Sequence, residues 1–408
     1  MAHDLIIKGG HIFDPGQGLD AVGDIGVTDG VITSIGGSLD ADGDATRVMQ
    51  LRDDQYVVPG LIDVHTHFMH GSQTPGVNWQ ASPPEIAGVL SGVTTILDAG
   101  TVGAWNFGIF PLYLEGKTKT RLTCFLNIGR VGILGLPRAQ PDLYHPDEID
   151  MDGTIKAAAE FPDAIRGIKL RLVGPVIREH GEELIARARE AAEETNLPLM
   201  VHIGDTLTGD KEKAPDLTRH LLNMLRGGDI VTHVCTAHPG GVLDSENRLV
   251  PELRDAESKG VFFDSATGRN NFNYEISLRL ADQGFHPHTI STDMSTPGRR
   301  EIVYSLTEYM SKFLAMGYSF EDVIRMTTTN AAQVLGAEDT LGALAVGREA
   351  DISILDRVTG KWEFEDCSGN LFYGDQAVAP VHTVRAGEMI SPDWGPHPWG
   401  WLPKQDDR

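Results

Sequence analysis

Two histidines one residue apart, His65 and His67, close the segment Val58-Pro59-Gly60-Leu61-Ile62-Asp63-Val64-His65-Thr66-His67. Side chains alternate along a strand, so both imidazoles project from one face and can hold one divalent ion. Four more polar groups stand in or at the ends of apolar runs: Lys169 in Gly167-Ile168-Lys169-Leu170, His202 in Val201-His202-Ile203-Gly204, His233 in Val231-Thr232-His233-Val234, and Asp293 in Ser291-Thr292-Asp293. Burying each of these without a partner would cost on the order of several kcal/mol. A metal centre accounts for all six residues together, whereas packing roles would need a separate partner for each. His238 is the competing ligand for His233, but it follows the strand and precedes Pro239-Gly240-Gly241, which makes it a loop residue. His70, His286 and His288 fit a surface or a substrate pocket equally well.

Lys169 needs separate treatment, because an ammonium group cannot ligate a cation. Burial and neighbouring positive charge drive a lysine's pKa down. The free amine can then take up carbon dioxide as a carbamate, whose two oxygens can bridge two metals. A lysine paired with an acidic neighbour is the alternative that the residues leave open.

The elements that must position these groups follow from the hydrophobic pattern. Eight apolar, strand-like runs, at 61–67, 93–99, 122–128, 165–173, 197–203, 229–235, 261–266 and 289–294, alternate with helical stretches. The clearest helix is 182–195, with Leu184, Ala188, Ala191 and Ala192 on one face. Another is expected from the capping-box pattern Ser82-Pro83-Pro84-Glu85, and a third over 320–335. Eight β/α units predict a (β/α)8 TIM barrel, with a doubly wound sheet as competitor, and the barrel's strand ends form the mouth of its active site. Residues 1–57 read as short strands with a tight Asp29-Gly30 hairpin, and strands return at 350–355 and 380–385. The expected division is therefore a barrel over 58–342 and one small β-sandwich domain built from 1–57 together with 343–408. The Pro-, Gly- and Trp-rich stretch 392–408 is expected to form no regular helix.

Composition narrows the partners. The chain has 408 residues, with 58 acidic against 34 basic side chains and a formal net charge of −24, which argues against nucleic acid or another polyanion. No stretch approaches eighteen uninterrupted apolar residues, so no membrane span is expected. Cys124, Cys235 and Cys367 are far apart and odd in number, which suits a reducing compartment. With no leader pattern at the first residues, the expected location is cytoplasmic.

The order HxH, Lys, His, His, Asp on successive β/α units resembles the amidohydrolase superfamily. Residues 58–67 look like its opening signature, and Thr329-Asn330-Ala331-Ala332 and Gly347-Arg348-Glu349-Ala350-Asp351 like its closing one. The resemblance implies that His65, His67 and Asp293 bind the more buried of two divalent ions and that His202 and His233 bind the other. A carboxylated Lys169 and a hydroxide would bridge them, and Asp293 would take the hydroxide's proton as it attacks. Zinc is the first choice of metal, with Mn2+ or Fe2+ as alternatives. A homo-oligomer acting on a small molecule is also implied.

Within the superfamily, His202-Ile203-Gly204-Asp205 lacks the glutamate of purine and cytosine deaminases. Met69 stands where dihydroorotases carry an arginine and D-aminoacylases an aspartate. Leu126-Asn127-Ile128-Gly129-Arg130 and Gly167-Ile168-Lys169-Leu170-Arg171 are similar to segments of the amidohydrolase/deacetylase metallohydrolases. The implied activity is hydrolysis of a non-peptide amide, or a related ester, of a small acylated substrate. A cyclic amide or imide hydrolase of the hydantoinase or dihydroorotase type is the alternative, and a catalytically silent scaffold the third reading. Arg130 and Arg171 are candidates to bind an anionic substrate group, and Asn270, Trp79 and Tyr304 to shape the pocket.

Overall fold

The computed structural model describes residues 3–39, 45–70, 81–134, 140–395 and 400–405. Seven parallel strands lie side by side in chain order: Leu61–Thr66, Val93–Ala99, Arg121–Asn127, Ile165–Arg171, Leu199–His202, Ile230–Thr232 and Phe262–Asp264. Helices cover the outer face and side chains fill the inner one, so the strands are buried almost without alternation. All six residues of Leu61–Thr66 and all seven of Val93–Ala99 are buried.

The expected eighth strand, 289–294, is not a regular strand. It is joined by single parallel bridges, Asp264 to Thr289 and Thr66 to Met294. It still ties the two edges of the sheet together: Ser265 N donates to Thr289 O (3.1 Å), Asp293 N to His65 O (2.6 Å) and His67 N to Met294 O (2.9 Å). Buried carboxylates supply the remaining acceptors. Asp63 accepts from Thr292 N (3.0 Å) and Thr292 Oγ1 (2.6 Å), and Asp264 from Thr289 Oγ1 (2.7 Å) and Ser291 Oγ (2.8 Å). Side-chain acceptors thus replace ladder partners along a run of Ser and Thr, which is why regular strand geometry is lost. The sheet curls in the TIM-barrel manner, its edges meeting across this segment.

Three further elements differ from expectation. The helix predicted over 182–195 starts earlier, as Val176–Thr195, because Val176 and Ile177 extend the buried face. The helix at Ser82 is one turn, Pro84–Ala87, capped by Pro83 without a side-chain hydrogen bond. The stretch 320–335 is two helices, Phe320–Thr327 and Thr329–Val334. Thr327 and Thr328 turn their hydroxyls back onto Val323 O (2.9 Å) and Ile324 O (2.6 Å), and the backbone breaks at Thr328.

The terminal segments share one nine-stranded sheet. Its order is Glu388–Ile390, Leu371–Arg385, Ile352–Glu365, Tyr56–Pro59, His3–Asp14, Leu19–Thr28, Val31–Ile35, with Ala45–Gln50 beside His3–Asp14 and Lys404–Gln405 beside Ile352–Glu365. The hydrogen bonding describes one sheet rather than the two of the expected sandwich. The Asp29-Gly30 turn forms as read, with φ of 50° and 74°, the left-handed pair that a tight hairpin demands. Ile7, Ile25, Val27, Ile352 and Val384 belong to an apolar cluster separate from the barrel's. The hairpin Ile352–Glu365/Leu371–Arg385 serves both bodies: Trp362, Phe364 and Val378 join the barrel core, and Val378 N donates to Ser311 Oγ (2.9 Å) on the helix Leu306–Ala315. No described helix is long and apolar enough to cross a membrane.

Candidate metal centre

The fold brings all six flagged residues to one end of the barrel sheet. Asp293 sits between the histidines: its Oδ1 lies 3.0 Å from His67 Nε2 and 3.6 Å from His65 Nε2, and its Oδ2 lies 4.0 Å from His233 Nε2. The rings of His202 and His233 are 4.1 Å apart, and those of His65 and His233 are 4.9 Å apart. Lys169 Nζ lies 3.4 Å from His65 Nε2. His65, His67 and Asp293 offer ligand atoms all within 4.8 Å of one another. His233 and Asp293 have left-handed backbones, φ 74° and 49°, so each leaves its strand direction to face the others. Such strain in a non-glycine residue persists only where the surroundings enforce it.

Each histidine is fixed through one ring nitrogen. Thr101 Oγ1 donates to Asp98 (2.8 Å), so its lone pair must accept from His67 Nδ1 (2.8 Å). Thr232 Oγ1 donates to Asp264 (2.7 Å) and accepts from His65 Nδ1 (2.9 Å). His233 Nδ1 donates to the Ala266 carbonyl (2.8 Å). In His65 and His233 the proton is placed on Nδ1 and the Nε2 lone pair faces the centre, whereas His67 Nε2 faces Asp293 Oδ1. His202 makes a hydrogen bond with the Gly204 backbone.

The Nε2 atoms of His202 and His233 are buried and have no hydrogen-bond partner. Such orphaned atoms are costly in a protein interior unless something ligates them. Burial, with the neighbouring cations, holds His65 and His202 well below the usual imidazole range, and burial brings His233 down to about 3. Burial brings the Lys169 amine down to about 7, against the opposing pull of Asp293 and Asp264. Burial alone would raise the Asp293 carboxyl, but the His67 hydrogen bond and the charges of His67, His233 and Lys169 bring it below the ordinary value. Imidazole nitrogens around a carboxylate form a donor set that suits a divalent metal ion.

A cavity of about 270 Å³ opens onto this centre, with Arg171, Arg269, Asn270, Asn271, Gln140 and Ser295 in its walls. Arg171 also donates to Asp142 (3.1 Å) and Arg269 to Glu301 (2.8 Å). Asn271 Oδ1 is buried without a partner. Arg130 is not in this wall. Its guanidinium stacks 5.0 Å over Trp105 and donates to Asp147 O (2.8 Å) and Glu148 O (3.2 Å). Tyr304 OH donates to Glu301 O (3.0 Å) and does not line the cavity either. Trp79 lies outside the described residues. His238 borders a separate surface groove. His70 bonds to Phe68 O (2.8 Å) and His286 to Tyr318 OH (3.0 Å), and His288 accepts from Phe263 N (3.1 Å). None of these four histidines belongs to the group around Asp293.

Sequence reasoning passed over Asp98, Thr101, Thr232, Asp264, Arg269 and Asn271. The signal that flagged Lys169, a charge inside an apolar strand run, was equally present at Asp98 in 93–99 and Asp264 in 261–266. The two threonines carry no such mark, because a threonine in a strand is ordinary.

The pattern of the Amidohydrolase family matches residues 56–390. A deacetylase of Brucella anthropi is 31% identical over 373 residues, covering 91% of this chain and 89% of its own length. A deacetylase of Agrobacterium fabrum is 29% identical over 363 residues, covering 89% and 85%. The crystal structure of an adenine deaminase superposes with a TM-score of 0.84 at 27% identity, covering 95% of this chain and 100% of that one. That of a dihydroorotase gives 0.82 at 26%, covering 95% and 99%. With a family match running through the whole barrel and into the C-terminal hairpin, the chain belongs to the amidohydrolase family.

Proposed function

We propose that this amidohydrolase is a metal-dependent deacylase that hydrolyses a non-peptide amide, or a related ester, of a small acylated molecule. One observation carries it: the Nε2 atoms of His202 and His233 are orphaned beside the His65–His67–Asp293 group, where a polar cavity opens onto the centre. The near full-length likeness to deacetylases supports the acyl class of substrate.

His65, His67 and Asp293 would hold one divalent ion, zinc first and Mn2+ or Fe2+ as alternatives, and His202 and His233 a second. Lys169 would bridge them after its amine adds to carbon dioxide, forming one N–C bond and releasing one proton to water. A pKa of about 7 leaves much of that amine unprotonated near neutrality. Bound there, the ions would activate water and polarise the acyl carbonyl. Asp293 Oδ would take the proton lost by the attacking water and return it to the leaving nitrogen or oxygen. Arg171 and Arg269 would orient an anionic end of the substrate, and Asn270 and Asn271 its polar middle. The cavity of about 270 Å³ suits a small molecule. We also propose 58–342 as the catalytic barrel and 1–57 with 343–408 as its accessory domain, which the separate apolar cluster supports. A cytoplasmic setting is supported by three unpaired thiols.

Metal analysis of the purified protein is expected to find about two ions per chain. The loaded protein is then tested on acylated amino acids, acetylated hydroxy acids, hydantoins and lactams. Turnover of the first two classes supports the proposal, and turnover of the cyclic compounds alone moves it to the cyclic amide hydrolase. A fully loaded protein that hydrolyses none of them overturns it in favour of a silent scaffold.

A further inference from the structure

The substrate cavity has a wall that the barrel strands do not hold. The loop 266–273 follows the strand Phe262–Asp264 and brings Arg269, Asn270 and Asn271 to the cavity. It also touches the proton carrier. Gly268 has a φ of +51°, and a Cβ built there would lie 2.2 Å from Asp293 Oδ2. The loop is thus packed against Asp293 at Gly268 and presents its polar side chains to the cavity.

The loop is gripped from outside the barrel by the tip of the hairpin Ile352–Glu365/Leu371–Arg385. Cys367 N donates to Phe272 O (3.0 Å), and its thiol faces Gly268 O (3.5 Å). Asn273 Nδ2 donates to Ser368 Oγ (3.1 Å), and Tyr274 N to Asp366 Oδ2 (3.0 Å). The tip itself is built around Asp366, which is 1% exposed. Its carboxylate accepts from Ser368 N (2.8 Å), Asn370 N (2.9 Å) and Asn370 Nδ2 (2.9 Å) as well as from Tyr274 N. One residue earlier, the buried Lys312 of the helix Leu306–Ala315 donates to Glu365 O (2.9 Å), which pins the hairpin to the barrel wall.

We propose that Asp366 is a positioning residue for substrate binding, through which the C-terminal hairpin fixes the loop carrying Arg269, Asn270 and Asn271. The inference rests on the proposed function only in taking those three residues to contact substrate. One buried carboxylate makes the turn rigid and ties it to the start of the helix Tyr274–Asp282. Asparagine at 366 keeps one acceptor oxygen but replaces the other by a donor, which cannot serve the backbone N–H groups now pointing at it.

The test compares Asp366→Asn and Ser368→Ala with the wild type, all loaded with zinc, on the best acylated substrate of the panel above. Ser368 is exposed, so its variant deletes the Asn273 contact without disturbing the core. Asp366→Asn is expected to raise KM about tenfold with kcat within about threefold, and Ser368→Ala to raise KM about two- to threefold. Metal content should stay unchanged, and backbone amides of 267–274 should exchange faster while those of the barrel strands do not. A purely structural role would lower Tm without this split. Unchanged KM and unchanged exchange in 267–274 would overturn the inference, and so would a loss of kcat alone. If Asp366→Asn does not fold, the Ser368→Ala result decides. If the loaded wild type hydrolyses nothing, the deacylase reading fails, and the exchange of 267–274 alone decides the role of Asp366.

Discussion

The imidazoles of His65, His67 and His233 at the barrel mouth are each held through Nδ1 by a defined partner. His67 is aimed by Thr101 and Asp98, and His65 by Thr232 and Asp264. Replacing either threonine by valine keeps the shape and removes the acceptor. Asp98 would still receive Phe68 N, Met69 N and Thr101 N, so Thr101→Val should fold. Thr101→Val and Thr232→Val are each expected to lower metal affinity about 10- to 100-fold, read by competition with a chelating dye. Lys169→Ala should abolish turnover, and short carboxylic acids with metal should restore part of it; full activity without them would exclude the bridging role. Lys169 also predicts a pH effect on the metal-free protein. Its folded value, about 7, is below the ordinary 10.5. Between these values the unfolded chain binds a proton that the native chain does not, so this lysine's contribution to stability rises with pH. Metal-free Lys169→Met should therefore gain most over the wild type near pH 7 and least near pH 10, measured by urea unfolding. At this scale the sequence showed the six residues that cluster at the barrel mouth, because a charge or imidazole in an apolar run is conspicuous. It hid the threonines, because their role depends on which strand lies next door.

At the scale of elements, the segment 289–294 matters most. It carries Asp293 and joins the first barrel strand to the last, yet it does so through side chains more than through a ladder. Thr292→Val removes the hydroxyl that Asp63 accepts and leaves a fully buried carboxyl with fewer donors. The expected loss is about 1–3 kcal/mol in urea unfolding. Seven strand runs could be read directly from apolar β-prone stretches, and the eighth was located correctly but not its irregularity. The broken helix at Thr328 was missed for a related reason. Periodicity reports which face is buried, not where a hydroxyl competes for the backbone. The single turn at Pro84 was missed because the capping-box pattern there forms no side-chain cap.

At the scale of the molecule, metal binding and folding should be coupled, since the site draws on five separate strands or strand ends and exists only in the folded chain. Chelation is expected to lower Tm and added zinc to restore it in a concentration-dependent way. Each site would contribute about 4 kcal/mol when free metal is a thousandfold above its Kd. A Tm indifferent to metal would contradict the proposed centre. The net charge of −24 bears on none of this: the imidazoles and Lys169 at the centre are buried and Asp293 is only partly exposed, whereas most acidic side chains face solvent.

The sequence by itself determined the barrel pattern, the Asp29-Gly30 hairpin and the six residues at the mouth. Each of these rests on local order along the chain: alternation, an apolar run, or a turn dipeptide. The tertiary structure alone decided which candidates share a cavity. Arg130 and Arg171 read alike in sequence, one following an apolar strand and the other at the end of one, but only Arg171 lines the cavity. Arg269 and Asn271 reach the cavity from a loop that no periodicity marks. The hairpin tip at Asp366 lies 92 positions from Tyr274, whose amide it accepts. Contacts over such distances arise from how the sheets pack, and packing is a property of the whole chain that no window of residues contains.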